Sequence, residues 1–288
     1  MLILRLAVGL VLGYLVLVFL AWLSQERIAF PSPRTALPDP RKVGLLDGEL
    51  IELVIRDGTR LGGWYLPPRP HDSTAVGRDR PPSPALLWFY GNGETIGAIW
   101  PILRDFRPPG TALLVVDYPG YGANEGRATE AGLYEAADTA YAALASRPEV
   151  DASRIFVYGR SLGSALATHT AARHPVAGLV IESPFTSARE MARQHYGLFP
   201  RFILRLGLDN LGRIRGIRCP VLVFHGTADR LVPTAMGRQL AASAPGPTEL
   251  VLIAGSGHNE TYDVGGKAYR EKLWDFIRVT GVRSPSPD

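Results

Sequence analysis

Residues 155–163 read Ile-Phe-Val-Tyr-Gly-Arg-Ser-Leu-Gly and lead into Ser-Ala-Leu-Ala-Thr-His-Thr-Ala-Ala-Arg-His, 164–174. Apolar residues of strand propensity run into Gly-x-Ser-x-Gly, and a helical composition follows. The pentapeptide alone is a weak signal that recurs by chance. Its setting gives it weight, because a nucleophile elbow requires a strand that ends in a tight turn and opens a helix. Small residues must flank the serine for strand and helix to meet so sharply. The helix N-terminus then turns the positive end of its dipole towards any charge developing there. The plainer alternative is a strand–helix turn with no chemistry.

Similar short apolar runs lie on both sides, at Ala85–Tyr90, Ala112–Asp117, Gly178–Ile181, Val221–Phe224 and Leu250–Ile253. Each is nearly continuous in hydrophobicity, as expected of strands buried on both faces of a parallel sheet. Helical patterns lie between several of them. Thr129 is placed to cap a helix whose stripe is Leu133, Ala136, Ala137, Ala140, Tyr141 and Leu144. A second helix is expected from Ser161 to His174 and a last one from Lys267 to Val279. Ile51 to Leu66 reads as a hairpin turning at Asp57-Gly58, and Pro67 to Pro84 as a solvated loop. The fold class is therefore α/β, a mostly parallel central sheet flanked by helices. In such sheets ligands sit beyond the carboxyl ends of the strands.

A serine hydroxyl needs a base to take its proton. Two later strand ends supply candidates: Asp229 in His225-Gly-Thr-Ala-Asp229 after Val221–Phe224, and His258 in Gly255-Ser-Gly-His258-Asn259 after Leu250–Ile253. The order Ser161, Asp229, His258 is that of an elbow hydrolase. His258 would carry the proton, and Asp229 would fix its tautomer and stabilise its cation. The oxyanion donors are expected to be the backbone N–H groups of Leu162 and of Asn92, the latter in the turn Tyr90-Gly-Asn-Gly-Glu94. Glu94 reads as a carboxylate at a helix N-terminus and not as a catalytic acid. Of the other histidines, His225 reads as a turn or packing residue, and His169 and His174 as solvent-facing or locally bonded. His71 and His195 fall in loop or cap segments. None has the spacing of a metal site, and neither metal nor organic cofactor is expected.

The formal charge is +4, with only three lysines among the 31 basic residues and no basic run, which argues against nucleic acid as a partner. Cys219 is the single cysteine, so no intramolecular disulfide is possible. The 18 residues Leu6–Leu23 are apolar throughout, without charge or proline. As a helix they span about 27 Å, close to a bilayer's hydrocarbon core. A cleaved signal sequence has a shorter apolar region and a small-x-small site, whereas Trp22 here falls inside any cleavage window. The reading is an uncleaved single-pass anchor over 1–26, a catalytic domain over 27–288 and a cap at about 184–218. Arg27, Arg34, Arg41 and Lys42 lean towards a cytoplasmic domain, while a five-residue tail before the apolar run leans the other way.

YGNGE (90–94), DYPGYGANEG (117–126), YGRSLGSA (158–165), ESPFTS (182–187), PVLVFHGTADRLVP (220–233) and GSGHNE (255–260) follow one another along the chain. With the N-terminal run, they make the protein resemble the α/β-hydrolase superfamily, and more narrowly the Bem46-like membrane-anchored serine hydrolases. Tyr90 stands where that group usually has His before Gly-Asn. The cap segment 184–218 carries Met191, His195, Tyr196, Phe199, Phe202, Ile203 and Leu206, able either to cover an acyl or aromatic substrate or simply to pack on the sheet. The resemblance implies hydrolysis of an ester, thioester or amide through an acyl-enzyme at Ser161. A membrane tether favours lipid or acylated substrates. The alternatives are a serine aminopeptidase-type peptidase and a non-catalytic interaction domain on the same scaffold. A dehalogenase-like use of the fold would need Asp where Ser161 stands.

Overall fold

Valine, isoleucine and leucine cluster where the chain must be buried on two faces, and those runs become the sheet. The computed structural model describes residues 1–69, 81–197 and 199–280, so His71 and most of the expected 67–84 loop lie outside the described residues. The strands are β1 (Glu49–Val54), β2 (Arg60–Leu66), β3 (Ser83–Phe89), β4 (Ala112–Val116), β5 (Val150–Arg160), β6 (Gly178–Glu182), β7 (Val221–Gly226) and β8 (Thr248–Ile253). They form one sheet in the order β1-β2-β4-β3-β5-β6-β7-β8. β1 and β2 pair antiparallel, β2 joins β4 antiparallel, and the remaining pairs are parallel. The hairpin turn falls where Asp-Gly predicts it, with Gly58 at φ 87°.

Two boundaries differ from the sequence reading. β3 begins at Ser83, inside the expected loop. β8 is the edge of the sheet, so of its residues only Ile253 is fully buried, although its apolar run reads like a central strand.

Helices cover both faces: α2 (Ile96–Phe106), α3 (Glu130–Ala145), α4 (Leu162–Arg173), α7 (Thr234–Ser243) and α8 (Thr261–Thr280), numbered after α1 (Leu2–Ala29), with α5 (Ala188–His195) and α6 (Asn210–Ile214) between β6 and β7, in the segment expected to form a cap. The Thr129 hydroxyl accepts from Gly132 N–H at 3.0 Å and caps α3, whose buried stripe consists of the six residues expected. α8 starts at Thr261, ahead of the expected Lys267, because two helical pieces meet at a kink where Gly266 has φ 50°. α1 is 28 residues long and runs past the expected boundary at 26; its residues up to Leu20 are almost all exposed, while Gln25 and the following Phe30 are buried.

The strand order reverses between β3 and β5, and there Phe89 lies beside Gly159 in register. The carboxyl ends of these two strands therefore open side by side at the topological switch point, where such sheets bind ligands.

Candidate active site

β5 ends at Arg160, and Ser161 turns the chain into α4 with φ 49° and ψ −113°. A non-glycine residue held there stores on the order of 1–3 kcal/mol of strain. Its N–H donates to Glu182 O at 2.9 Å on β6, which helps to hold the turn. The flanking glycines are required by close approach and not by a left-handed φ. A Cβ on Gly159 would lie 2.2 Å from Gly163 O, and one on Gly163 would lie 2.2 Å from Phe89 O. No side chain fits in either place.

His258 and Asp229 arrive from the loops beyond β8 and β7. His258 Nε2 lies 3.0 Å from Ser161 Oγ, and His258 Nδ1–H donates to Asp229 Oδ2 at 2.8 Å. Asp229 Oδ1 accepts the backbone N–H groups of Leu231 at 2.9 Å and Val232 at 2.8 Å. Burial alone would raise its pKa, but the nearby His225 N–H and the hydrogen bonds from His258 and the Val232 N–H outweigh that and hold the carboxyl well below the usual range. The charge therefore stays on Asp229 at neutral pH. His225, expected as a turn or packing residue, is fully buried. Its Nε2–H donates to Val232 O at 2.9 Å and lies 3.4 Å from Asp229 Oδ2, so it also braces the loop that carries Asp229.

Leu162 is the first residue of α4, where an N–H has no acceptor within the helix. Asn92 follows β3, and both residues line the same cavity as Ser161. The Asn92 side chain is held at both ends: Nδ2 donates to Ala29 O at 2.7 Å, and Tyr121 OH donates to Oδ1 at 2.6 Å. Glu94 corrects the sequence reading. Its carboxylate accepts Gly91 N–H at 2.6 Å and pairs with Arg160, so it braces the turn instead of facing α2. The α2 N-terminus is served by Asp117, which accepts Ile96 N–H at 2.8 Å.

Arg160, the unspecified residue before the serine, joins three loops. Besides Glu94 it reaches Glu182 at 3.4 Å, Asn259 Oδ1 at 2.7 Å and His258 O at 3.3 Å. Tyr90 sits in a buried cluster, where its OH donates to Asp117 Oδ1 at 2.9 Å and accepts Tyr118 N–H at 3.0 Å.

The geometry stands on a recognisable frame. The uncharacterised protein Rv2307c of Mycobacterium tuberculosis is 36% identical over 266 residues, covering 91% of this chain and 90% of that one. Human α/β-hydrolase domain-containing protein 17B is 33% identical over 164 residues, 56% of this chain and 54% of its own. Residues 80–214 match the family model described as serine aminopeptidase, S33. The Pyrococcus furiosus esterase Pf2001 superposes with a TM-score of 0.66 at 17% identity, covering 86% of this chain and 96% of that one. The chain belongs to the α/β-hydrolase superfamily.

In this hydrolase the residues expected to form a cap do not simply pack on the sheet. Met191, His195, Tyr196, Phe199, Ile203 and Leu206 line a cavity of about 590 Å³ that also reaches Ser161, whereas Phe202 points away and is 87% exposed. That volume lies within the range that holds small ligands. His195 Nε2 donates to Leu231 O at 2.8 Å, tying the end of α5 to the loop that carries Asp229. His169 and His174 bond locally, at 3.2 and 2.8 Å from Asp138 on α3.

Burial raises the Asp117 carboxyl to about 6, more than hydrogen bonds from Ile96 N–H and Tyr90 OH can offset. The folded hydrolase therefore binds this proton more tightly than the unfolded chain does. Its contribution to stability is fully present below the unfolded pKa and is lost as pH rises through about 6. The loss amounts to about 3 kcal/mol by pH 8. Asp117→Asn keeps an acceptor for Ile96 N–H and removes the titration. Thermal melts at pH 5 and pH 8 should show the variant gaining on the native protein at the higher pH. An equal difference at both values would mean that Asp117 is not a raised acid.

Proposed function

We propose that this hydrolase cleaves a carboxylic ester or thioester through an acyl-enzyme on Ser161. The single observation that supports this reading best is the chain from Ser161 Oγ to His258 Nε2 at 3.0 Å and from His258 Nδ1 to Asp229 at 2.8 Å, at a cavity that Leu162 and Asn92 also line. His258 takes the hydroxyl proton as Ser161 Oγ attacks the carbonyl carbon. The N–H groups of Leu162 and Asn92 meet the oxyanion. His258 then returns the proton to the leaving oxygen or sulfur, and the acyl group stays on Ser161. Water activated by the same imidazole releases the acid. An isolated oxyanion donor is worth roughly 10²–10³ in turnover.

A second reading, a serine aminopeptidase-type activity, is favoured by the description of the matching family model. Such an enzyme must hold a protonated α-amine. The side chains lining the cavity include Arg189 and Arg193 but no carboxylate among the described residues, which argues for an uncharged acyl group instead.

Membrane tethering by α1 belongs to the same proposal, as does placement in the Bem46-like group. The helix is long and apolar enough to cross a membrane. A cleaved signal sequence fits less well, because a cut near Trp22 would sever the last turns of α1, where Trp22 O accepts from Arg205 and from the Gln25 amide. The activity test is the release of p-nitrophenol from p-nitrophenyl butyrate by the full-length protein in detergent. A burst close to one equivalent per protein, followed by slower turnover, is expected of an acyl-enzyme. Absence of any ester or thioester hydrolysis would favour the non-catalytic interaction domain.

Arg160 is a positioning residue in this scheme, since it holds the Glu94 and His258 loops against the elbow. Arg160→Met should lower kcat roughly 10–100-fold by displacing the reacting groups, with a smaller change in KM. Arg160→Lys should recover only part, because one ammonium cannot reproduce the fork. If kcat is unchanged in Arg160→Met, the network has no bearing on the chemistry.

A further inference from the structure

The cavity above Ser161 is closed on one side by the N-terminal helix itself. Ala21, Gln25 and Ile28 of α1 line it together with Met191, Ile203 and Leu206 of the cap. Ala21 lies within the apolar run that ends at Leu23, so the cavity reaches from the serine to the level at which the helix would emerge from a bilayer.

This wall is fixed in place by polar bonds. Gln25 is buried, and its amide makes a two-way clasp: Nε2 donates to Ile203 O at 3.2 Å, and Oε1 accepts Arg205 N–H at 2.7 Å. The Arg205 guanidinium lies 4.8 Å over the Trp22 ring and donates to Trp22 O at 3.3 Å. One turn further on, Ala29 O accepts from the Asn92 side chain, which binds the helix end to the turn expected to supply an oxyanion donor. A helix serving only as a tether needs none of these contacts. The clasp also holds the 3-10 turn Arg201–Ile203 beside the emerging helix, and that turn presents the exposed Phe202. An apolar ring so placed can enter the interfacial region.

We propose that α1 is part of the substrate site, and that its last turns and the cap form a conduit taking the long acyl chain of a membrane-dissolved ester from the bilayer to Ser161. The inference rests on the acyl-enzyme reading and on membrane insertion of α1. It adds Ala21, Gln25 and Ile28 as acyl-binding residues and a long, uncharged chain as the substrate's distinguishing part. A cavity walled mostly by apolar side chains and reaching the serine suits a chain with a single polar group at its tip. The chain would move from lipid into protein without crossing water.

The test uses the full-length protein in lipid nanodiscs and compares kcat/KM for p-nitrophenyl acetate, butyrate, octanoate and decanoate. Each methylene that reaches the cavity should raise kcat/KM by up to roughly fourfold until the space is filled. Ala21→Trp fills the conduit and should cut the decanoate-to-butyrate ratio at least tenfold. Gln25→Leu, which releases the clasp, should cut it in the same direction. Leu10→Trp, on α1 but away from the cavity, should keep the native profile. Fluorophosphonate labelling of each variant separates a blocked conduit from a lost fold. Labelled variants that all keep the native ratio, or a native protein that prefers acetate, would overturn the conduit and leave the Ser161 chemistry standing. A native protein that neither labels nor hydrolyses any ester would remove the acyl-enzyme reading and the conduit with it.

Discussion

Ser161→Ala and His258→Ala are each expected to lower kcat on p-nitrophenyl butyrate by a factor on the order of 10⁶, and the double variant is expected to be little worse than either. The reason is mechanical. Ser161 Oγ and His258 Nε2 are joined by one 3.0 Å hydrogen bond, so a base without its hydroxyl, or a hydroxyl without its base, performs no step alone. What remains should be roughly 10³–10⁴ over water, supplied by binding and by the N–H groups at Leu162 and Asn92. Steady-state kinetics on the three variants check this. Losses that multiply would mean the two residues act independently, contrary to the account.

Asp229→Asn is expected to cost about 10⁴ in kcat with little loss of stability. The structure gives a specific reason. Asp229 Oδ1 receives two backbone N–H groups, from Leu231 and Val232, and in the variant the amide oxygen must stay there to satisfy them. The amide nitrogen then faces His258 Nδ1 at the former Oδ2 position, 2.8 Å away. Two donors cannot share that contact, so the imidazole proton shifts to Nε2, which then has no lone pair to accept the serine proton. His225 does not relieve the conflict, since its Nε2–H already donates to Val232 O. Kinetics at neutral pH together with a thermal melt separate the two outcomes. Turnover equal to native would show that the acid is misassigned.

The grouping of Ser161, Asp229 and His258 was legible in the sequence because each sits within a few residues of a strand end, and the structure brings the three into one hydrogen-bonded chain. The sheet was legible from its apolar runs. The edge strand β8 misled, because Leu250–Ile253 is as apolar as a central strand and composition does not record which face lacks a neighbour. Glu94 misled for a related reason. Its position before a helix fits a dipole argument, but Arg160 lies 66 residues away in sequence and claims it in space. Asp117 fell inside a resemblance motif without a role, since its partner Ile96 N–H belongs to another element. Gln25 had no local signal at all. An amide at the end of an apolar run reads as an interfacial residue, and its partners at 203 and 205 are known only once the cap is folded back onto α1.

The measurement that bears most directly on the central claim is labelling of the detergent-solubilised full-length protein with a fluorophosphonate probe, followed by peptide mass mapping of the adduct. The account predicts one adduct per chain, located on Ser161 and lost in Ser161→Ala, with labelling greatly slowed in His258→Ala. A folded native protein that takes no label, or an adduct mapped to another residue, would contradict it.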